Sequence, residues 1–250
     1  MSETRKVALI TGAARRIGAG IARRLHADGY DLALHYRSSA ADMDALLAEL
    51  NGIRAGSAMS MQADLADIDR LPELVAQTVG HFGSLDALIN NASAFYPTPL
   101  GTATPAQWDD LFASNARAPF FLAQAAAPHL RAARGGIVNL ADIHGERPLA
   151  NHTLYSMAKA TLLMLSKSLA LELAPDVKVN AIAPGAILWP DPGSGQPAKD
   201  PAAQAALLAR TPLQRMGTLE EIAAAVAWLL HDAGYITGQT LHLDGGRHLG

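Results

Sequence analysis

The chain has 250 residues, enough to bury a sizeable core as one large α/β domain or two smaller ones, and half of them are hydrophobic. It has no cysteine, which excludes disulfides, thiolate catalysis and cysteine-ligated metal, fits a reducing cytoplasm, and leaves any redox chemistry to a bound cofactor. A net charge of −3 and a pI near 6.3 argue against a nucleic-acid or anionic-membrane surface; with no signal peptide and no apolar run of ~18 residues, a soluble cytoplasmic protein is expected.

Lys6 to Thr11 (KVALIT) is an apolar, β-branched strand that stops at Gly12, and a helical pattern (Ile17, Ile21, Leu25) follows and closes at Asp28-Gly29. The turn between them, TGAARRIG, suits a dinucleotide phosphate: glycines make the turn and let backbone approach, and the helix N-terminus faces the anion. Gly12 and Gly18 fit the first and last glycine roles, while Arg16 replaces the middle one, with Arg15 beside it. An ordinary strand-to-helix connection is the alternative. The second strand, Asp31 to Tyr36, ends without the acidic residue that a cofactor lacking a 2′-phosphate would meet. Arg37 and Ser38 follow instead, a guanidinium and a hydroxyl suited to a phosphate dianion, unless Arg37 is only a solvated loop charge.

A helix (Ala41 to Leu50) and a short strand (Ala58 to Gln62) lead to Ala63-Asp64-Leu65, where Asp64 can accept from an adenine amino group or cap the next helix, Leu71 to Phe82. Leu85 to Ile89 reads as a buried parallel strand with Asn90-Asn91-Ala92-Ser93 as its exit, small and amide side chains that let backbone approach a flat ligand. Phe95 beyond it either stacks on an aromatic substrate or is a packed aromatic. A helix is expected over Pro105 to Ala133 with Asn115 in its interior, either on a water-held proton path to Lys159 or opening the helix for packing.

The fifth strand, Ile137 to Leu140, delivers the stretch from Asp142 to Lys159. Tyr155 and Lys159 are four residues apart in a helical pattern, so they share one face. A lysine ammonium nearby would lower the phenol from its usual pKa of ~10 toward the working range, making Tyr155 the proton donor. Asp142, where the chain leaves the strand, reaches the mouth of the sheet. A sixth strand, VKVNAIAPG, ends at Pro184-Gly185, where the proline stops the strand and the glycine lets the chain swing over a nicotinamide. Ala186 to Ala202, rich in proline and glycine, reads as a mobile lid or a rigid loop, with Trp189 as a contact for substrate or a neighbouring subunit. A helix (Leu219 to His231) and a last strand (QTLHLDGG) complete the chain. The order βαβαβ, repeated twice, reads as one doubly wound α/β domain over residues 1–250, a seven-stranded parallel sheet flanked by helices on both faces. Nine histidines lack metal-ligand spacing, so no metal is expected, and no GxSxG elbow is present; His144 and His152 flank the active stretch as loop histidines.

TGAARRIG, NNAS, Asn115, Tyr155-Ser-Met-Ala-Lys159, Pro184-Gly185 and ITGQTLHLDGG together resemble the short-chain dehydrogenase/reductase family from end to end. Four details look like its pteridine reductases: the arginine pair of the first turn, HYRSSAAD, NNASAFYPTPL, and Asp142 where most family members have serine. The resemblance implies a Rossmann fold, NADPH, a homotetramer and reduction of dihydropteridines such as dihydrofolate, dihydrobiopterin or dihydromonapterin. Position by position it matches Asp142, Tyr155 and Lys159 to the catalytic set and Phe95 to the ring that sandwiches the pterin; the reading of the residues adds Asn115 to catalysis, and Arg16, Ser93, Asp142, Tyr155 and Trp189 complete the substrate set with Phe95. The cofactor set is Gly12, Arg15, Arg16, Ile17, Gly18, Tyr36, Arg37, Ser38, Asp64, Leu65, Asn91, Ala92 and Ser93, with Tyr155, Lys159, Pro184 and Gly185. The aspartate has a chemical rationale: it would repel the alkoxide of a reduced ketone, but it stabilises a protonated imine or, with Tyr155, relays a proton to it. Reduction of a C=N bond is therefore expected. The alternatives are an Asp142 tied up structurally in a reductase of another carbonyl or imine, and a non-catalytic NADPH-binding regulator.

Overall fold

A computed structural model describes residues 5–187 and 200–250. Seven strands form one parallel sheet in the order β3-β2-β1-β4-β5-β6-β7: β1 (Val7–Ile10), β2 (Asp31–Tyr36), β3 (Ala58–Gln62), β4 (Ala87–Asn90), β5 (Gly136–Leu140), β6 (Lys178–Pro184) and β7 (Thr240–Leu243). The central strands β1, β4, β5 and β6 are buried on both faces, as their continuous apolar runs require, while the edge strands β3 and β7 are partly exposed. Ala8, Ile10, Leu32 and Leu34 point into one layer with α1 (Arg16–Ala27), α2 (Ala40–Ile53) and α8 (Leu219–His231). Leu9, Ala33 and Leu88 alternate into the other, against α3 (Arg70–Phe82), α5 (Ala118–Ala133) and α6 (Thr153–Leu173). The doubly wound architecture is the one expected. Strand order reverses between β1 and β4, and in such sheets ligands bind outside the carboxyl ends of the strands at that point.

One expected element is divided. The helix over 105–133 is α4 (Pro105–Phe112), a π-helical turn (Ala113–Arg117) and α5. Asn115 is the cause: its buried Nδ2 donates to Leu111 O and Ala94 O, both at 3.0 Å, so the side chain takes over backbone acceptors and the helix widens around it. Beyond residue 199 the chain forms α7 (Pro201–Ala209), started by the Asp200 side chain accepting from Ala203 N at 2.7 Å. Trp189 and most of the expected lid lie outside the described residues. No described helix is long and apolar enough to cross a membrane.

Candidate active site

Asp142 begins a one-turn 3-10 helix, Ile143–Gly145, and its Oδ1 accepts from His144 N at 2.8 Å. Gly145 lets this loop lie against α6, because a Cβ there would stand 3.0 Å from the carbonyl carbon of Lys159 and 2.9 Å from Leu163 Cδ1. The close approach brings the other carboxylate oxygen to the helix face that carries the Tyr155 phenol. Tyr155 Oη donates to Asp142 Oδ2 at 2.7 Å. Lys159, 2% exposed, donates from Nζ to Leu140 O at 2.8 Å and lies 5.7 Å from the Tyr155 ring centre.

These contacts correct the expected electrostatics. Burial raises the Tyr155 phenol well above its ordinary value, and the Asp142 charge and hydrogen bond push it further, with Ser93 acting weakly the other way. The phenol keeps its proton. Burial also lowers Lys159 to about 8 against an opposing pull from Asp142. The ammonium donates to a strand carbonyl, and burial together with the carboxylate beside the phenol outweighs it in the phenol's titration. The Asn115 side chain has its own partners: its Oδ1 accepts from Ser93 Oγ at 2.7 Å and its amide nitrogen is held by backbone. It opens the helix and fixes Ser93 beside Tyr155.

The wall next to this pair is aromatic. Phe95 packs edge-on to Tyr155, centres 4.7 Å apart, and stacks on His152 at 4.8 Å and 14°. His152, a loop residue in the sequence reading, therefore covers one face of the ring expected to meet a flat substrate.

The first turn has the form a dinucleotide needs. Gly12 adopts φ 62°, and a Cβ there would stand 2.9 Å from Ala92 Cα; a Cβ on Gly18 would stand 2.2 Å from Gly12 O. Strand, turn and helix thus close on one another only with glycine at both positions. Helix α1 starts with neither a side-chain cap nor an acidic residue in its first turn, so its N-terminus suits an anion. Arg16 takes the middle position at φ 54°, a left-handed conformation that costs a non-glycine residue about 1–2 kcal/mol. Ile17 and Tyr36 pack against the core, so what they offer a ligand is mainly backbone. The same holds for Ala92 and the buried Leu65.

Several other expected contacts have partners in the protein. Asn91 Nδ2 donates to Thr11 O and Gly12 O, both at 2.9 Å, so its amide nitrogen locks the turn and is not free for a cofactor. Arg15 pairs with Asp42 at 3.6 Å on the surface. Asp64 neither caps α3, which starts after Asp69, nor stands free, since its Oδ1 accepts from Ala66 N at 2.9 Å. Gly185 is required by packing, because a Cβ would stand 2.6 Å from Asp244 Cβ. Pro184 ends β6 opposite Leu243. Arg37 and Ser38 are exposed just past β2, with Arg37 O fixed by Gln62 Nε2 at 3.0 Å.

The sequence reading missed His35. Gly12 N donates to its Nδ1 at 3.2 Å, and its Nε2 lies 3.1 Å from Ala63 O. Nε2 must carry the proton, and burial lowers the imidazole pKa and keeps it neutral. His35 thus ties the glycine turn to the exit of β3. A polar residue at an inward position of an otherwise apolar strand was the available signal.

A parallel sheet reversing at β1/β4, a glycine turn at that switch point, and a Tyr/Lys pair on the helix after β5 define the short-chain dehydrogenase/reductases, oxidoreductases on a Rossmann-like fold. The chain belongs to this family: residues 12–248 match a family model described as enoyl-(acyl carrier protein) reductase. Among individual proteins it is 39% identical to pteridine reductase 1 of Leishmania tarentolae, over 99% of this chain and 98% of that protein. It is 36% identical to a 3-oxoacyl-(acyl-carrier-protein) reductase of Staphylococcus aureus, over 98% of both chains. A 3β-hydroxysteroid dehydrogenase of Eggerthella lenta is 34% identical, over 98% of this chain and 94% of that protein.

Proposed function

We propose that the protein is an NADPH-dependent pteridine reductase, adding hydride and a proton across a C=N bond of a dihydropteridine such as dihydrobiopterin, dihydromonapterin or dihydrofolate. The observation that carries the reading is the 2.7 Å hydrogen bond from Tyr155 Oη to Asp142 Oδ2. A carboxylate at this point opposes the negative oxygen of a ketone reduction and favours a protonated ring nitrogen. The ring nitrogen takes its proton from water before hydride reaches the carbon; Asp142 stabilises the resulting protonated imine, Tyr155 keeps its own proton and fixes the orientation of Asp142, and Lys159 anchors the end of β5 beneath them. NADPH, when bound, supplies the hydride. Gly12, Gly18 and the uncapped start of α1 would hold its pyrophosphate, and Arg37 and Ser38 its 2′-phosphate. Phe95 gives a flat ring a stacking surface.

The similarity to 3-oxoacyl reductases keeps one rival in view, reduction of a carbonyl. NADPH oxidation with dihydrobiopterin, dihydrofolate and a panel of ketones and 3-oxoacyl thioesters, on wild type and Asp142→Ser, separates them. Pteridine turnover that collapses in the variant supports the proposal. Ketone or thioester turnover by the wild type, with pteridines inert, refutes it.

The assembly we propose is a homotetramer in the cytoplasm. Two separate surfaces expose large apolar side chains: Trp108, Phe120, Met164 and Leu171 along α4–α6, and Trp228 with Tyr235 at the end of α8. Two self-complementary faces generate a closed four-copy assembly. Light scattering that gives a monomer mass at micromolar concentration would contradict it.

A further inference from the structure

Residues 244–250 are fastened on two sides. The loop after β5 holds one: Glu146 Oε2 lies 3.0 Å from His242 Nε2, and the Arg147 guanidinium donates to the main-chain oxygens of His248, at 2.7 Å, and of Gly250. The segment after α7 holds the other: Leu213 N donates to Gly245 O at 3.1 Å. Cβ atoms on Gly245 and Gly246 would stand 2.8 Å from Thr211 Cγ2 and 3.0 Å from Pro212 Cγ, and both glycines have positive φ, 63° and 85°. The turn admits no larger residue without strain. Asp244, 6% exposed, closes it by accepting from Gly246 N at 3.0 Å and His248 N at 2.6 Å.

This scaffold presents Arg247. Its guanidinium is half-buried, and among the described residues no hydrogen bond or ion pair holds it. Burial lowers its pKa; the Asp142 charge works against that shift, and Arg210, which ends α7, adds to it. Asp142, however, is already hydrogen-bonded by Tyr155 and by His144 N. The Asp244 charge also works against the shift, but Asp244 is likewise engaged, by Gly246 N, His248 N and His248 Nδ1. With both neighbouring carboxylates bonded elsewhere and a second guanidinium acting on it, Arg247 carries positive charge in a partly desolvated place, a cost that an anionic ligand would relieve. Phe95 and His152, stacked on one another, form an aromatic wall beside Tyr155. A flat ring with an anionic extension matches both features.

We propose that Arg247, with Arg210 beside it, is an anion subsite that selects dihydropteridines carrying carboxylates on their extension, as dihydrofolate does on its glutamate, over those with a neutral extension such as dihydrobiopterin. Arg147 is a positioning residue that holds the 244–250 turn in place. The inference rests on the reading that the pteridine ring is reduced at Asp142 and Tyr155.

The test is the ratio of KM for dihydrofolate to KM for dihydrobiopterin in wild type, Arg247→Gln, Arg247→Lys and Arg147→Ala. The same ratio is taken as Kd on the NADP+ complex by calorimetry, which needs no turnover. Loss of a hydrogen-bonded charge pair should raise the ratio roughly tenfold or more in Arg247→Gln. Arg247→Lys should restore part of it, and Arg147→Ala should raise KM for dihydrofolate while leaving kcat in place. A ratio unchanged in Arg247→Gln, or KM values that rise together for both substrates, overturns the subsite. If the wild type reduces neither pteridine the proposed function falls, and the calorimetric ratio still decides whether Arg247 binds the anionic extension.

Discussion

Replacing Asp142 by asparagine keeps the shape of the side chain and its place as acceptor for Tyr155 Oη, 2.7 Å away, while removing the charge. A hydrogen bond to a charged group is worth about 1.5–3 kcal/mol, against about 1 for a neutral one. On that basis ~1–2 kcal/mol of stabilisation of the protonated imine is lost, roughly 5–30-fold in kcat. Two titrations move with it. The charge and hydrogen bond of Asp142 add to burial in holding the Tyr155 phenol high, so the phenol falls in the variant but stays above its ordinary value. Asp142 also supports the buried Lys159 ammonium, which sits at about 8, so in the variant it loses its proton at a lower pH. The assay is steady-state NADPH oxidation with dihydrobiopterin from pH 6 to 9, with Lys159 followed by nitrogen NMR. A kcat within twofold of wild type together with an unmoved Lys159 titration would refute the reasoning.

Other substitutions test the cofactor side. Arg37→Asp places a carboxylate where the 2′-phosphate is expected, so the NADPH/NADH preference should fall by tenfold or more, on the order of one charged hydrogen bond; an unmoved ratio refutes the phosphate assignment. Arg16→Gly removes a left-handed non-glycine residue at φ 54° and should raise Tm by a few degrees, about 1 kcal/mol, while weakening NADPH binding measured by calorimetry. His35→Ala leaves Gly12 N and Ala63 O without their partner, at about 1–3 kcal/mol, so both Tm and NADPH affinity should fall. A Tm drop with unchanged affinity would show that His35 does not shape the glycine turn.

The fold was legible because its signals are local and periodic. Seven apolar strand runs, each followed by a turn, and a Tyr/Lys spacing of four residues on an apolar-periodic helix translate directly into sheet and site. What sequence could not supply is which partner wins when several polar groups meet. Lys159 lies over the Tyr155 ring, but its ammonium donates to Leu140 O, and Asp142 takes the phenol hydroxyl instead. Asn91 has the amide a cofactor could use, yet the carbonyls of Thr11 and Gly12 claim its nitrogen. Asn115 shows the same limit, since the widened helix depends on Leu111 O four residues back and on Ala94 O, 21 residues away. Arg247 directly follows the ITGQTLHLDGG motif but is about a hundred residues from Asp142, and becomes notable only once the turn of residues 244–250 is seen tied to the Asp142 loop.

The pairing of carboxylate and phenol for C=N reduction is tested most directly by competition. Equimolar dihydrobiopterin and acetoacetyl thioester are given to the wild type with NADPH deuterated at the transferring position, and the label is located by mass spectrometry and NMR. The account predicts deuterium on a ring carbon of the tetrahydropteridine and none in the hydroxyacyl product; deuterium on the hydroxyacyl carbon, with the pteridine unlabelled, would contradict it.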